Sequence, residues 1–199
     1  MSLTLGRKED TEKWKKMAEE RQKQMAEWMW DEKAGEFFDY NFVTKKRSTY
    51  EFAATFYPLW SGLATKEQAE AIMKNLAHFE RPGGMLNSPY ETGGQWDAPY
   101  MWAPVQMLAF DGMRKYGYGK DADRLSYEFL SNVALNFKRD GTIREKYNAV
   151  TRSTEAAVTS GYSINVIGFG WTNAAFLDFL GKIPKGDVEK LAAEQSPNK

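Results

Sequence analysis

Three stretches of this sequence concentrate the side chains that do chemistry at a bound ligand. Gly93-Gly-Gln-Trp-Asp-Ala-Pro-Tyr-Met-Trp-Ala-Pro-Val-Gln106 sets Gln95 and Asp97 on either side of Trp96, and Trp102 follows at an expected helix start. An amide and a carboxylate flanking an indole offer paired hydrogen-bonding groups beside an apolar plate. Arg144-Glu-Lys-Tyr-Asn148 reads as extended, and alternation directs Arg144 and Lys146 one way and Glu145 the other. Gly168-Phe-Gly-Trp-Thr-Asn173 brackets Phe169 with two glycines and holds Trp171 at the entrance to another helix. Aromatic plates rimmed by polar planar groups suit ligands with C–H faces and hydroxyl edges, which describes sugars. Each stretch also has a packing account. Trp96 and Trp102 would plug the gap between two helices with Asp97 capping one, and the charged stretch would be a salt-bridged surface strand.

Composition narrows the chemistry further. The 199 residues contain no cysteine and one histidine, His78. Disulfides, thiol catalysis and Cys- or His-rich metal sites are excluded, so acid–base work near neutral pH falls to carboxylates. Lys and Arg total 27, as do Asp and Glu, and the neutral sum gives no electrostatic reason to expect nucleic acid or an anionic membrane as partner. No apolar run reaches the roughly 18 residues that span a bilayer. The start, MSLTLGRKED, lacks the apolar core of a signal peptide. The compartment is left open between cytoplasm and periplasm. Seven Trp, ten Tyr and twelve Phe make 15% of the chain. They stand beside polar residues and glycines more than in clean apolar stripes, which is why they bear on ligands as well as on the core.

The elements that must position these residues are mostly helical. Trp14, Met17, Arg21, Met25 and Trp28 recur at helical steps between Arg7 and Trp30, opposite a Lys/Glu face. A turn at Asp31–Gly35 leads into an alternating Glu36–Phe42. Thr65-Lys-Glu-Gln68 reads as a capping box for a helix running to Phe79, with His78 in its last turn in a capping or surface role. Residues 83–102 form a long Gly-, Pro- and aromatic-rich loop of the kind that carries function. Helices are expected from about Pro99 or Trp102 to Gly117, with Trp102, Val105, Ala109, Met113 and Tyr116 inward, and from Asp121, with Ala122, Leu125, Phe129, Val133 and Phe137 inward. Thr142–Tyr147 reads as extended and residues 148–170 as irregular. Thr172 is a candidate cap for a helix closing at Gly181, and Asp187–Glu194 is a final helix. The tail 196–199 should fray. Six or seven helices, long loops and little strand define an all-α protein, with no repeat of 20–50 residues.

QWDAPYMWAPVQ and GFGWTNA resemble two signatures of the trehalases, glycoside hydrolase family 37. MWDEKAGEFFDYNF, TFYPLWSGLATKEQAE, GGMLNSPYETGGQWD and REKYN resemble further segments of that family, in family order, over nearly the whole chain. The resemblance implies an (α/α)6 toroid, of which residues 1–199 are similar to the C-terminal half. It implies hydrolysis of α,α-trehalose or a related α-glucoside with inversion, with no metal or cofactor and a disaccharide as partner. Inverting enzymes use a carboxylic acid on the leaving oxygen and a second carboxylate on water, roughly 6.5–9.5 Å apart. Gln95, Trp96, Asp97 and Trp102 correspond to the family's sugar-contacting loop, and Glu145 and Trp171 to its site wall.

Two departures follow from the same resemblance. The family's acid is an Asp in a Gly-Trp-Asp-Phe-Ser pattern, which these residues lack. The family's base precedes the signature Trp by nine residues, which lands on Tyr162. A phenol titrating near pH 10 is a poor base at neutral pH. The nearest carboxylate is Glu155, a candidate base if its loop is rearranged, and otherwise a loop carboxylate paired with Arg152. Three readings result. The chain is an inverting glycosidase or a portion of one, a non-catalytic carbohydrate-binding or scaffold chain, or an oligomer whose core uses the aromatics. Half a closed toroid exposes apolar helix faces, so self-association or a missing N-terminal half belongs to these expectations.

Overall fold

The computed structural model describes residues 1–162 and 164–195, and the expected frayed tail at 196–199 lies outside them. The chain divides into two compact units, Met1–Tyr50 and Glu51–Lys199.

The first unit opens with α1 (Lys8–Trp28), whose first turn carries Glu9 and Asp10 where the helix dipole favours negative charge. No residue of α1 is buried, and Trp14 and Met17 of the expected stripe are more than half exposed. Two small hairpins follow, β1 (Trp30–Asp31) with β2 (Glu36–Phe37) and β3 (Tyr40–Asn41) with β4 (Lys46–Arg47). Each turns on an Asx side chain. Asp31 Oδ1 accepts from the amides of Lys33 and Ala34 at 3.0 Å, and Asn41 Oδ1 does the same for Val43 and Thr44.

The second unit begins with a 3-10 turn, Ala53–Phe56, and α2 (Tyr57–Ser61). The capping box forms as expected at the head of α3 (Lys66–Lys74). Thr65 Oγ1 accepts from the Gln68 amide at 3.1 Å, and Gln68 Oε1 from that of Thr65 at 2.9 Å. The helix does not run unbroken to Phe79. Asn75, at φ −88° and ψ 0°, separates α3 from α4 (Leu76–Phe79). His78 sits on the surface with Nδ1 2.9 Å from Glu51 Oε2. A hairpin of β5 (Glu80–Arg81) and β6 (Gly84–Met85) leads to the long loop and β7 (Tyr100–Trp102).

Next come α5 (Ala103–Lys115), α6 (Gly119–Asp140), β8 (Lys146–Asn148), α7 (Gly170–Lys182) and α8 (Lys185–Gln195). The tight turn at 116–118 folds α6 back along α5, and α7 packs on both. Their shared core stacks Phe110 and Phe129 on Phe179, with ring centroids 5.1 and 5.2 Å apart. Helix α2 presses on α5 at Gly112, where a Cβ would stand 2.6 Å from the Trp60 amide nitrogen. The described residues thus hold eight α-helices and only two- or three-residue strands. No helix among them is long and apolar enough to cross a membrane.

Two local expectations are corrected. Phe137 is half exposed, because the buried face at this end of α6 is carried by Asn136, whose side chain donates to the carbonyls of Asn132 and Arg152. Thr172 does not cap α7, which begins at Gly170 and continues through Gly181 to Lys182. Its hydroxyl instead donates to the carbonyl of Glu145 at 3.4 Å.

Candidate functional site

Two distant signatures are joined by the antiparallel pair β7–β8. It sets Tyr100 opposite Asn148, Met101 opposite Tyr147 and Trp102 opposite Lys146. The tryptophan motif and the Arg-Glu-Lys-Tyr-Asn stretch are therefore neighbours. Trp102, buried by that pairing, anchors the indole cluster. Trp96 stacks on it with centroids 3.9 Å apart and planes 13° from parallel, and Trp171 meets it edge-on at 5.6 Å. Phe169 packs on Trp171 at 4.5 Å. Three stretches of the chain thus converge on one aromatic centre. Trp96 keeps 38% of its surface exposed, whereas Trp102 keeps 1%.

A second zip closes the loops around it. The amides of Thr159 and Ser160 donate to the Gly93 carbonyl at 3.0 and 3.1 Å, and the Gln95 amide donates to Ser160 at 3.2 Å. Gly161, at φ +110°, lies so close to Gln95 that a Cβ would meet the side chain at 2.9 Å. The Gln95 carbonyl in turn accepts from Trp102 Nε1 at 2.8 Å. Asp97 is buried and accepts from the Thr92 hydroxyl. It does not cap α5, whose N-terminus has no side-chain cap.

The charged stretch departs from the expected alternation. The chain bends at Glu145, whose amide donates to the Val166 carbonyl at 2.9 Å, before the ladder begins at Lys146, and its carboxylate reaches the Lys146 ammonium at 3.1 Å. Both side chains are almost wholly buried, which contradicts a surface strand. Arg144 stays partly exposed, paired with Asp140 at 3.2 Å. Lys146 Nζ also donates to the Ile164 carbonyl at 3.2 Å and lies 5.3 Å from the ring centre of Trp102 and 4.4 Å from that of Tyr162. Cations over aromatic faces are attracted by the ring quadrupole. Tyr162 donates to the other oxygen of Glu145 at 2.5 Å. Burial and that bond push its phenol up to about 12.

Of the sequence-derived site residues, Gln95, Trp96, Trp102 and Trp171 are in direct contact, as are Glu145 and Tyr162, and Lys146 joins the two groups, with Asp97 bracing the loop that carries the first. Glu155 stands apart. It is exposed, and no hydrogen bond or ion pair among the described residues ties its carboxylate to the cluster. Nor is it shown paired with Arg152, which donates to Ser131 Oγ at 2.6 Å. Lys146 is named in the sequence only for its direction along the stretch, not as a site residue, and Asn165 is not named there. Asn165 is a clamp: its amide nitrogen donates to the carbonyls of Lys146 and Thr154, and its oxygen accepts from the Lys146 amide. A lysine inside an otherwise site-directed stretch was the available signal for the first; the second has none.

The helical frame that carries this aromatic cluster also occurs in solved structures of glycoside hydrolases. A mannosylglycerate hydrolase from Thermus thermophilus, crystallised with glucose, shares that fold. It has a TM-score of 0.61 at 22% identity, over 78% of this chain and 35% of its own. Residues 1–184 match the trehalase family, and the chain belongs to it. The cytosolic neutral trehalase of Saccharomyces cerevisiae is 40% identical over 184 residues, covering 82% of this chain and 24% of the relative. That of Beauveria bassiana is 38% identical over 183 residues, covering 82% and 25%. The solved neutral trehalase of S. cerevisiae matches with a TM-score of 0.76 at 38% identity, over 90% of this chain and 32% of that one. The chain spans about a quarter of the length of the curated relatives it matches.

Proposed function

We propose that these residues form part of the catalytic domain of an inverting glycoside hydrolase that cleaves α,α-trehalose, or a related α-glucoside, to monosaccharides. The observation that carries the reading is the convergence of Trp96, Trp102 and Trp171 on one centre beside a buried Glu–Lys pair. Trp96 supplies the accessible plate for a sugar ring's C–H face, with Trp102 and Trp171 as its rigid backing. Gln95 and Tyr162 supply polar edges. Asp97 holds the loop in shape through Thr92. The reading uses no metal or cofactor. The proton for the leaving oxygen comes from a carboxylic acid outside these residues.

Glu155 and Tyr162 were the candidates for the group that activates water. The raised phenol stays protonated at neutral pH, so Tyr162 has no phenolate with which to take a proton from water. Glu155 would have to cross to the cluster from an exposed loop.

Calorimetric titration with trehalose, together with a glucose-release assay, tests the proposal. Binding that weakens in Trp96→Ala is expected, with turnover in the protein that includes the acid. Binding without turnover in that protein would favour the non-catalytic carbohydrate-binding reading. No binding to trehalose or any α-glucoside would overturn both.

A further inference from the structure

We infer that Glu145 and Lys146 fix the polarity of Tyr162, making its phenol oxygen a dedicated acceptor for one hydroxyl of the bound sugar. The inference deepens the carbohydrate reading above and rests on it. A tyrosine hydroxyl has one proton to give and lone pairs to receive. Here the proton is committed: Tyr162 donates to Glu145 Oε1, a carboxylate that can only accept. Glu145 cannot turn away, because its other oxygen is held by the Lys146 ammonium at 3.1 Å. Lys146 is itself fixed by the Ile164 carbonyl and seated over the Tyr162 ring. Glu145 is 1% exposed, so the ligand never meets the carboxylate. Tyr162 is 43% exposed as a residue, and in this inference its oxygen is where the network meets the sugar. What remains on that oxygen is acceptor capacity, made more basic as a hydrogen-bond acceptor by the charge-assisted bond behind it. Tyr162 is thus the specificity-determining residue, and Glu145 and Lys146 are positioning residues acting through it.

The arrangement predicts a reversal that simple packing does not. In Glu145→Gln, the amide oxygen must face Lys146, since two sets of N–H donors cannot meet. The amide nitrogen then donates to Tyr162, whose own proton turns outward. The acceptor becomes a donor.

The test is calorimetric titration of the full chain with trehalose and its monodeoxy and monofluoro analogues. Fluorine replaces a hydroxyl without a proton to give. In the wild type, one ring position should lose roughly tenfold in affinity in both the deoxy and the fluoro analogue. Tyr162→Phe should weaken trehalose to the same level and abolish the position dependence. Glu145→Gln should recover the fluoro analogue but not the deoxy one. Tyr162→Phe binding trehalose as tightly as the wild type, or keeping the same position-specific losses, would overturn the inference and leave the carbohydrate reading intact. If Glu145→Gln does not fold, an NMR titration of ring-labelled tyrosine in the wild type reads the network directly. The Tyr162 resonance, assigned with Tyr162→Phe, should remain that of the neutral phenol at pH 10.5, and half-ionisation below pH 10 would overturn the inference. If the wild type binds none of the sugars, the carbohydrate reading falls and takes this inference with it.

Discussion

Trp96 lies flat on Trp102, ring centres 3.9 Å apart, with one indole open to solvent and the other in the core. The buried ring holds the exposed one in a fixed plane, so a ligand stacking on Trp96 has little further order to impose. The two positions should therefore separate experimentally. Trp96→Ala is expected to cost roughly tenfold in sugar affinity with little change in urea midpoint. Trp102→Ala is expected to cost about 3–5 kcal/mol of stability. Calorimetry and urea unfolding on the same two variants check both halves.

The buried Lys146–Glu145 pair makes a different demand. Removing one partner leaves the other charged and without its counter-ion in a place water does not reach, so Lys146→Met should destabilise by about 3–5 kcal/mol. Adding Glu145→Gln to Lys146→Met should recover part of that loss, because the stranded charge is gone. A double-mutant cycle by urea unfolding gives the coupling, and a double variant no more stable than Lys146→Met would rule out an ionic origin.

The helices and the capping box at Thr65 were legible in the sequence because local chemistry writes them: periodic apolar positions and a hydroxyl three residues ahead of an amide. The convergence of the indoles was legible only through the resemblance to trehalases, since nothing local pairs Trp102 with Lys146 across more than forty residues of chain. Alternation misdirected the reading of Glu145 and Lys146. The rule holds along an unbroken strand, and the chain bends at Glu145, between the Arg144–Ile167 bridge and the ladder that begins at Lys146. Thr172 looked like a helix cap by type and position. It was drawn off by the Glu145 carbonyl, a tertiary partner invisible to local pattern.

Gly161 is the hinge on which Tyr162 reaches Glu145. Its φ of +110° suits glycine alone, and a Cβ there would press on Gln95. Gly161→Ala should therefore push the 159–162 segment off Gly93–Gln95 and break the Tyr162–Glu145 bond without touching either residue. Sugar affinity should fall at least as far as in Tyr162→Phe, while the far-ultraviolet dichroism of the helices stays unchanged. Unaltered affinity in Gly161→Ala would mean the loop zip is not what sets Tyr162.

Glu128 on α6 gives the fold a pH dependence of its own. Burial first, and then the negative charge of Glu80, push its carboxyl up to about 8 from 4.5, while Arg124 and Arg152 pull the other way. Arg124 is already engaged, donating to both Glu80 oxygens at 2.7 and 2.9 Å, and one Glu128 oxygen is buried without a hydrogen-bond partner among the described residues. Between the two values the folded chain holds a proton that the unfolded chain has released. The stability linked to Glu128 is thus complete below about pH 4.5 and is lost as pH rises through about 8. Glu128→Gln keeps the neutral shape at every pH. Its melting temperature should match the wild type near pH 5 and exceed it by a few degrees, on the order of 4 °C, near pH 8. Parallel melting curves across that range would show that Glu128 is ionised in the fold, with Arg124 and Arg152 outweighing burial.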